Sequence, residues 1–218
     1  MPNQPISGND LARFSGPQSF MRLPEVASAK GLDVGFIGIP MDIGTSWRSG
    51  TRMGPKQLRE QSAMIRPYNI QTGAAPFDAL HCADLGDVAI NTFSLSDSIR
   101  IITETYASHL KHDFIPMTLG GDHTLTLPVL RAVAAKHGPV ALVHVDAHAD
   151  VNEEMFGERE THGTVFRRAY EEKIITPDKV FQIGFVAPDI PLTILQKRRD
   201  GGSTSILRLI CGISRFLP

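Results

Sequence analysis

Apolar runs of strand length alternate along this chain with stretches of helical spacing, and that rhythm leaves few folds open. Residues 32–40 read LDVGFIGIP, a β-rich run stopped by proline and a buried strand by length and composition. A Gly- and Ser-rich loop follows, and a helix is predicted to begin at Pro55, because proline is well tolerated in a first helical turn. FDALHCADLGDVAI offers a second short strand. In SLSDSIRIITETYASHLKH, Ile99, Ile102, Tyr106 and Leu110 recur at helical spacing and predict an amphipathic helix. FIPMTLGG is a strand entering a glycine turn, and HTLTLPVLRAVAAKHG is a helix closed by Gly138. PVALVHVDAHAD is another apolar strand, with its polar residues at the end.

Strand and helix in this order imply parallel pairing through right-handed crossovers. The predicted fold class is α/β: a three-layer α/β/α sandwich with a mostly parallel sheet. Ligand sites in such sheets lie beyond the carboxyl ends of the strands. Residues 1–29, rich in Pro, Gly and Ser, read as an irregular arm, residues 30–184 as the folded body, and residues 185–218 as a separate tail.

Net charge is −1 and the basic residues are scattered, so neither nucleic acid nor an anionic membrane is an expected partner. Two cysteines, Cys82 and Cys211, are too few for a disulfide framework and read as plain thiols of a reducing compartment. The opening residues lack a basic flank before an apolar run. The apolar stretches fall well short of the roughly 20 residues a membrane helix needs. Cytoplasmic localisation is the expectation.

Two polar clusters carry the chemistry: Gly120-Gly121-Asp122-His123, and Asp146-Ala147-His148-Ala149-Asp150 with Asn152 just after. In an extended strand end, alternate residues project to one face, which would put Asp146, His148 and Asp150 in a row. One imidazole and two carboxylates suit a divalent cation that accepts mixed N and O ligands. His123, expected at the end of an adjacent strand, can add a fourth donor, and the two glycines before it permit a sharp turn and close approach. Asp122 is expected to orient neighbours rather than bind metal. His144 is expected to be a buried, hydrogen-bonded structural histidine.

At these residues the sequence resembles the arginase and agmatinase family of ureohydrolases. TSWRSGTRMGPKQLRE, ADLGDV, TLGGDHTLTLPVL, LVHVDAHADVN and THGTVFRRA match in order, over roughly residues 13–184. RFSGPQSFMRLP and IRPYNIQTGAAPFDAL look more like agmatinase and related guanidino-acid hydrolases than arginase. The resemblance implies two Mn²⁺ ions, with His123 and Asp150 on the first, His148 on the second and Asp146 bridging. Two metals about 3.5–4 Å apart activate a shared water at neutral pH. The implied reaction splits agmatine into putrescine and urea, with guanidinobutyrate or guanidinopropionate as alternative substrates. His162 resembles the family's proton-shuttling histidine, and Asn152 would either help position the substrate or cap its turn. A homo-oligomer is implied too.

The sequence departs from the family after Gly184. No SFDIDxxDP-type motif follows, so the second metal would keep only His148 and the shared Asp146. The tail reads as the product of a shifted frame, the sheet would be truncated with an exposed apolar edge, and turnover by the chain as written is expected to be negligible. Two other readings remain at this point: a dinuclear phosphoesterase, and a non-catalytic fragment that binds one metal or associates with complete subunits.

Overall fold

The computed structural model describes residues 2–184 and the short strand Arg208–Leu209. The elements in order are β1 (Val34–Ile39), α1 (Gly54–Ser62), α2 (Pro76–Ala79), β2 (Cys82–Asp87), α3 (Leu95–His109), β3 (Ile115–Gly120), α4 (Thr126–His137), β4 (Val140–Val145), α5 (Val165–Glu171), β5 (Ile175–Ile183) and β6 (Arg208–Leu209). All strand pairs are parallel, ordered β2-β1-β3 in one sheet and β4-β5-β6 in another. This is the expected α/β class. Beyond β6, residues 185–218 of the expected tail lie outside the described residues, as does Cys211; Cys82 is a buried free thiol.

Local chemistry explains the helix boundaries. Pro55 occupies the first turn of α1, as predicted. The Ser94 hydroxyl accepts from Asp97 N at 3.2 Å and caps α3. Gly138, at φ 77°, takes the left-handed position that ends α4.

Helices α3 and α4 cover one face of β1, where Ile37, Ile39, Ile102, Tyr106 and Ala132 form the largest core cluster. Tyr106 is fully buried, and its hydroxyl shares a 2.6 Å hydrogen bond with Thr118 of β3. The other face of β1 is covered by the amino-terminal arm and α2, through Met21, Leu23, Phe36 and Phe77, with the Phe20 and Phe36 rings stacked 4.1 Å apart. The arm is irregular apart from a 3₁₀ turn at Phe20–Arg22. Helix α5 packs on β5 through Val165, Phe166, Ala169, Ile175 and Val180.

The expected adjacency of the two site-bearing strands is not found. Among the described residues β3 pairs with β1 and β4 with β5, so both present an open edge. Ile115 of β3 is 63% exposed and Val145 of β4 is 74% exposed, with Met117 and Val143 exposed beside them. Among the described residues, the apolar edge foreseen from the sequence is found at both strands, and such edges invite strand addition.

Candidate metal centre

The GGDH turn is built by close approach. A Cβ on Gly121 would lie 2.2 Å from Met41 O and 2.7 Å from Ile39 O, so only glycine lets this turn rest against the end of β1. Asp122 N donates to Met41 O at 2.7 Å. The Asp122 carboxylate accepts from Gly44 N (3.0 Å) and Thr124 N (2.8 Å), tying the loop after β1 to the turn after β3. Asp122 thus orients its neighbours, as its position suggested.

The second cluster differs from the expected extended row. Strand β4 stops at Val145, and Asp146 Oδ1 accepts from His148 N at 2.9 Å, a local turn that competes with strand continuation. Asp150 adopts φ 49°, a left-handed conformation aspartate tolerates better than most residues. These two bends break the alternation. They bring Asp146 and Asp150 together and turn His148 outward, its side chain 72% exposed and its Nδ1 3.7 Å from Asp146 Oδ1.

Convergence is achieved by loops from different sheets. His123 Nδ1 lies 2.6 Å from Asp150 Oδ2 and 3.7 Å from Asp146 Oδ2. His144, inside β4, joins them: one ligand atom each from His123, His144, Asp146 and Asp150 lies within 4.8 Å of the others. His144 is 7% exposed, and its Nε2 has no aligned hydrogen-bond partner. The His123 imidazole and the two carboxylates, with His144 beside them, make a mixed N and O set that suits a divalent transition ion. Burial, and then the nearby His123, push the His144 imidazole below its ordinary pKa. Burial pulls the Asp146 carboxyl upward, but the His148 backbone N–H and the His144 side chain outweigh it and leave the group below its ordinary value.

The wall and rim of the centre come from residues 150–166. Phe166 sets its ring edge-on to His123 (5.5 Å) and against His144 (4.4 Å), and its backbone N–H donates to Asp150 O at 3.1 Å. Exposed Asn152 donates its backbone N–H to Gly163 O at 3.0 Å, which ties its loop to the segment bearing His162. His162 Nε2 shares a 2.8 Å hydrogen bond with the Ser46 hydroxyl from the loop after β1. That loop is held by Asp42, which accepts from Gly50 N at 2.6 Å and from Arg52 Nε at 2.6 Å.

His144 is buried and hydrogen-bonded to Gln182 at 3.0 Å, as expected; its place in the cluster and the contact between Ser46 and His162 were not foreseen. The parity His144 shares with Asp146 was the available signal for the first. Nothing in the sequence pairs positions 46 and 162.

Comparison with known proteins agrees with this architecture. The arginase family model matches residues 32–200. The chain is 59% identical over 188 residues to the guanidinobutyrase of Pseudomonas aeruginosa, covering 85% of this chain and 59% of that protein. It is 52% identical over 182 residues to the mitochondrial agmatinase of Gallus gallus, covering 84% and 54%. It is 45% identical over 216 residues to the mitochondrial guanidino acid hydrolase of Homo sapiens, covering 99% and 61%. That last match and the family model both run past Gly184, into the stretch set apart as a tail. The solved proclavaminate amidino hydrolase of Streptomyces clavuligerus superposes with a TM-score of 0.81 at 37% identity, covering 90% of this chain and 64% of that one. The chain spans 54–61% of the length of these three curated relatives. On the match of residues 32–200, with the motifs in order and the fold shared, the chain belongs to the arginase family.

Proposed function

We propose that this site serves metal-dependent hydrolysis of a linear guanidino compound, releasing urea and an amine. The observation that carries the reading is the convergence of His123, Asp146 and Asp150 at one point. A divalent ion bound there, Mn²⁺ by the family resemblance, would supply a water acidified enough to act as nucleophile at neutral pH. Guanidinium resists attack because resonance stabilises it, so placement of the reacting groups matters as much as the nucleophile. His123, Asp150 and Asp146 would hold the ion. His162, presented by Ser46, delivers a proton to the departing amine. Asn152 stands on the adjoining loop, where it contributes to substrate placement.

The guanidinobutyrase relative, at 59% identity against 52% for the agmatinase, favours 4-guanidinobutyrate over agmatine as the substrate. Agmatine, split to putrescine and urea, is the second reading. A small guanidino substrate and a homo-oligomeric assembly complete the proposal. No described helix is long and apolar enough to cross a membrane. A cytoplasmic location is the sequence's proposal, and two of the relatives carry mitochondrial in their names.

Among the described residues, His123, Asp146 and Asp150 meet at one point, whereas His148 is turned outward, its side chain 72% exposed. Low turnover is therefore expected, and binding is the sharper test. Calorimetry of the Mn²⁺-loaded chain should show 4-guanidinobutyrate binding more tightly than agmatine, with any urea release dependent on metal. Hydrolysis of a generic phosphodiester without affinity for either guanidino compound would contradict the proposal.

A further inference from the structure

The His144 side chain can be assigned one protonation form from its surroundings. The Gln182 amide nitrogen lies 2.9 Å from Ala149 O and 3.0 Å from His144 Nδ1. A carbonyl oxygen only accepts, so the amide must present its NH₂ to Ala149, and that group has two hydrogens to give. The second goes to His144 Nδ1, which therefore accepts. In a neutral imidazole the proton then sits on Nε2. This nitrogen is shielded from solvent, lacks an aligned acceptor, and faces Asp146 Oδ2 at 3.3 Å. A protonated Nε2 cannot ligate a metal. The ring is kept in this orientation by Phe166, 4.4 Å away between ring centres.

We propose that His144 is a positioning residue, whose Nε2–H orients the Asp146 carboxylate toward the cation, with Gln182 fixing the tautomer that makes this possible. The inference rests on the reading of this cluster as a metal centre. Asp146 Oδ1 is already occupied by His148 N–H at 2.9 Å. Oδ2 lies between His144 Nε2 and His123 Nδ1, at 3.3 and 3.7 Å. The hydrogen bond on Oδ1 and the Nε2–H facing Oδ2 across 3.3 Å together restrain how the carboxylate can turn. Partners of this kind, one step behind the ligands, typically change metal affinity about 10- to 100-fold when removed.

Nitrogen-15 NMR of the histidine-labelled, metal-free 218-residue chain reads the tautomer directly and needs no bound ion. His144 should show the Nε2–H form, and Gln182→Glu, whose carboxylate can only accept, should convert it to Nδ1–H. Calorimetry with Mn²⁺ supplies the second arm. His144→Phe should weaken binding by about tenfold or more, and His144→Gln, which returns an N–H donor near the Nε2 position, should recover most of it. Gln182→Glu should also weaken binding and guards against His144→Phe failing to fold. An Nδ1–H tautomer in the unmodified chain, or Mn²⁺ affinity unchanged in both His144→Phe and Gln182→Glu, would overturn the proposal. A correct tautomer in a chain that binds no Mn²⁺ would instead overturn the metal centre on which it rests.

Discussion

Arg59 grips the Asp84 carboxylate with both prongs of its guanidinium, Nε to Oδ2 at 2.8 Å and Nη2 to Oδ1 at 2.9 Å. The pair is buried, and bidentate geometry of this kind is the strongest form of ion pair. Asp84 also accepts from Phe20 N at 2.7 Å and Gly86 N at 2.9 Å. One carboxylate thereby joins the amino-terminal arm, α1 and β2.

Asp84→Asn should consequently destabilise the chain by about 3 kcal/mol, because it leaves a buried guanidinium without its counter-charge. Urea denaturation at neutral pH reads this. A loss below about 1 kcal/mol would mean that Asp87, which Arg59 Nη1 reaches at 2.5 Å, carries the pair on its own.

Asp42 gives a pH dependence with a definite sign. The Arg52 side-chain hydrogen bond, followed by the Gly50 and Arg52 backbone N–H groups, holds its carboxyl at about 2 against the raising effect of burial. A folded value below the ordinary 3.8 means that the group stabilises the fold fully above that value. The stabilisation is lost as pH falls from about 4 toward about 2. Asp42→Asn should flatten this segment of the stability curve. Urea midpoints measured across the interval check it, and parallel curves for the two proteins would refute it.

Gly121→Ala tests the close approach behind the GGDH turn. The added Cβ would press on the carbonyls of Met41 and Ile39 at 2.2 and 2.7 Å, rigid backbone that cannot swing aside. A loss of about 2 kcal/mol is expected, with weaker metal binding because His123 sits two residues on. Alanine at Gly138, where a Cβ would meet open space but φ is 77°, serves as a comparison in which the metal affinity should stay unchanged.

The sequence revealed strands, helices and the residues of the candidate site unevenly, and the reasons are physical. Helices α1, α3 and α4 were legible because the Pro55 start of α1, the apolar spacing of α3 and the Gly138 stop of α4 are local signals. That His123, Asp146 and Asp150 come together could be read from their residue types at strand ends, and the cluster brings them within 4.8 Å of one another. The row at Asp146, His148 and Asp150 was misjudged because Asp146 turns the chain through its own side chain and Asp150 takes a left-handed φ, which periodicity cannot register. The separation of β3 from β4 was equally hidden, since strand order depends on contacts distant in sequence. The Gln182–His144 contact, 38 residues apart, is of that same long-range kind.

Titration of the metal-free chain with Mn²⁺, followed by calorimetry, tests the metal centre most directly. The account predicts a saturable site that disappears in both His123→Asn and Asp150→Asn while their thermal transitions remain cooperative. Absence of Mn²⁺ binding in the unmodified chain, or binding retained undiminished in both variants, would contradict it.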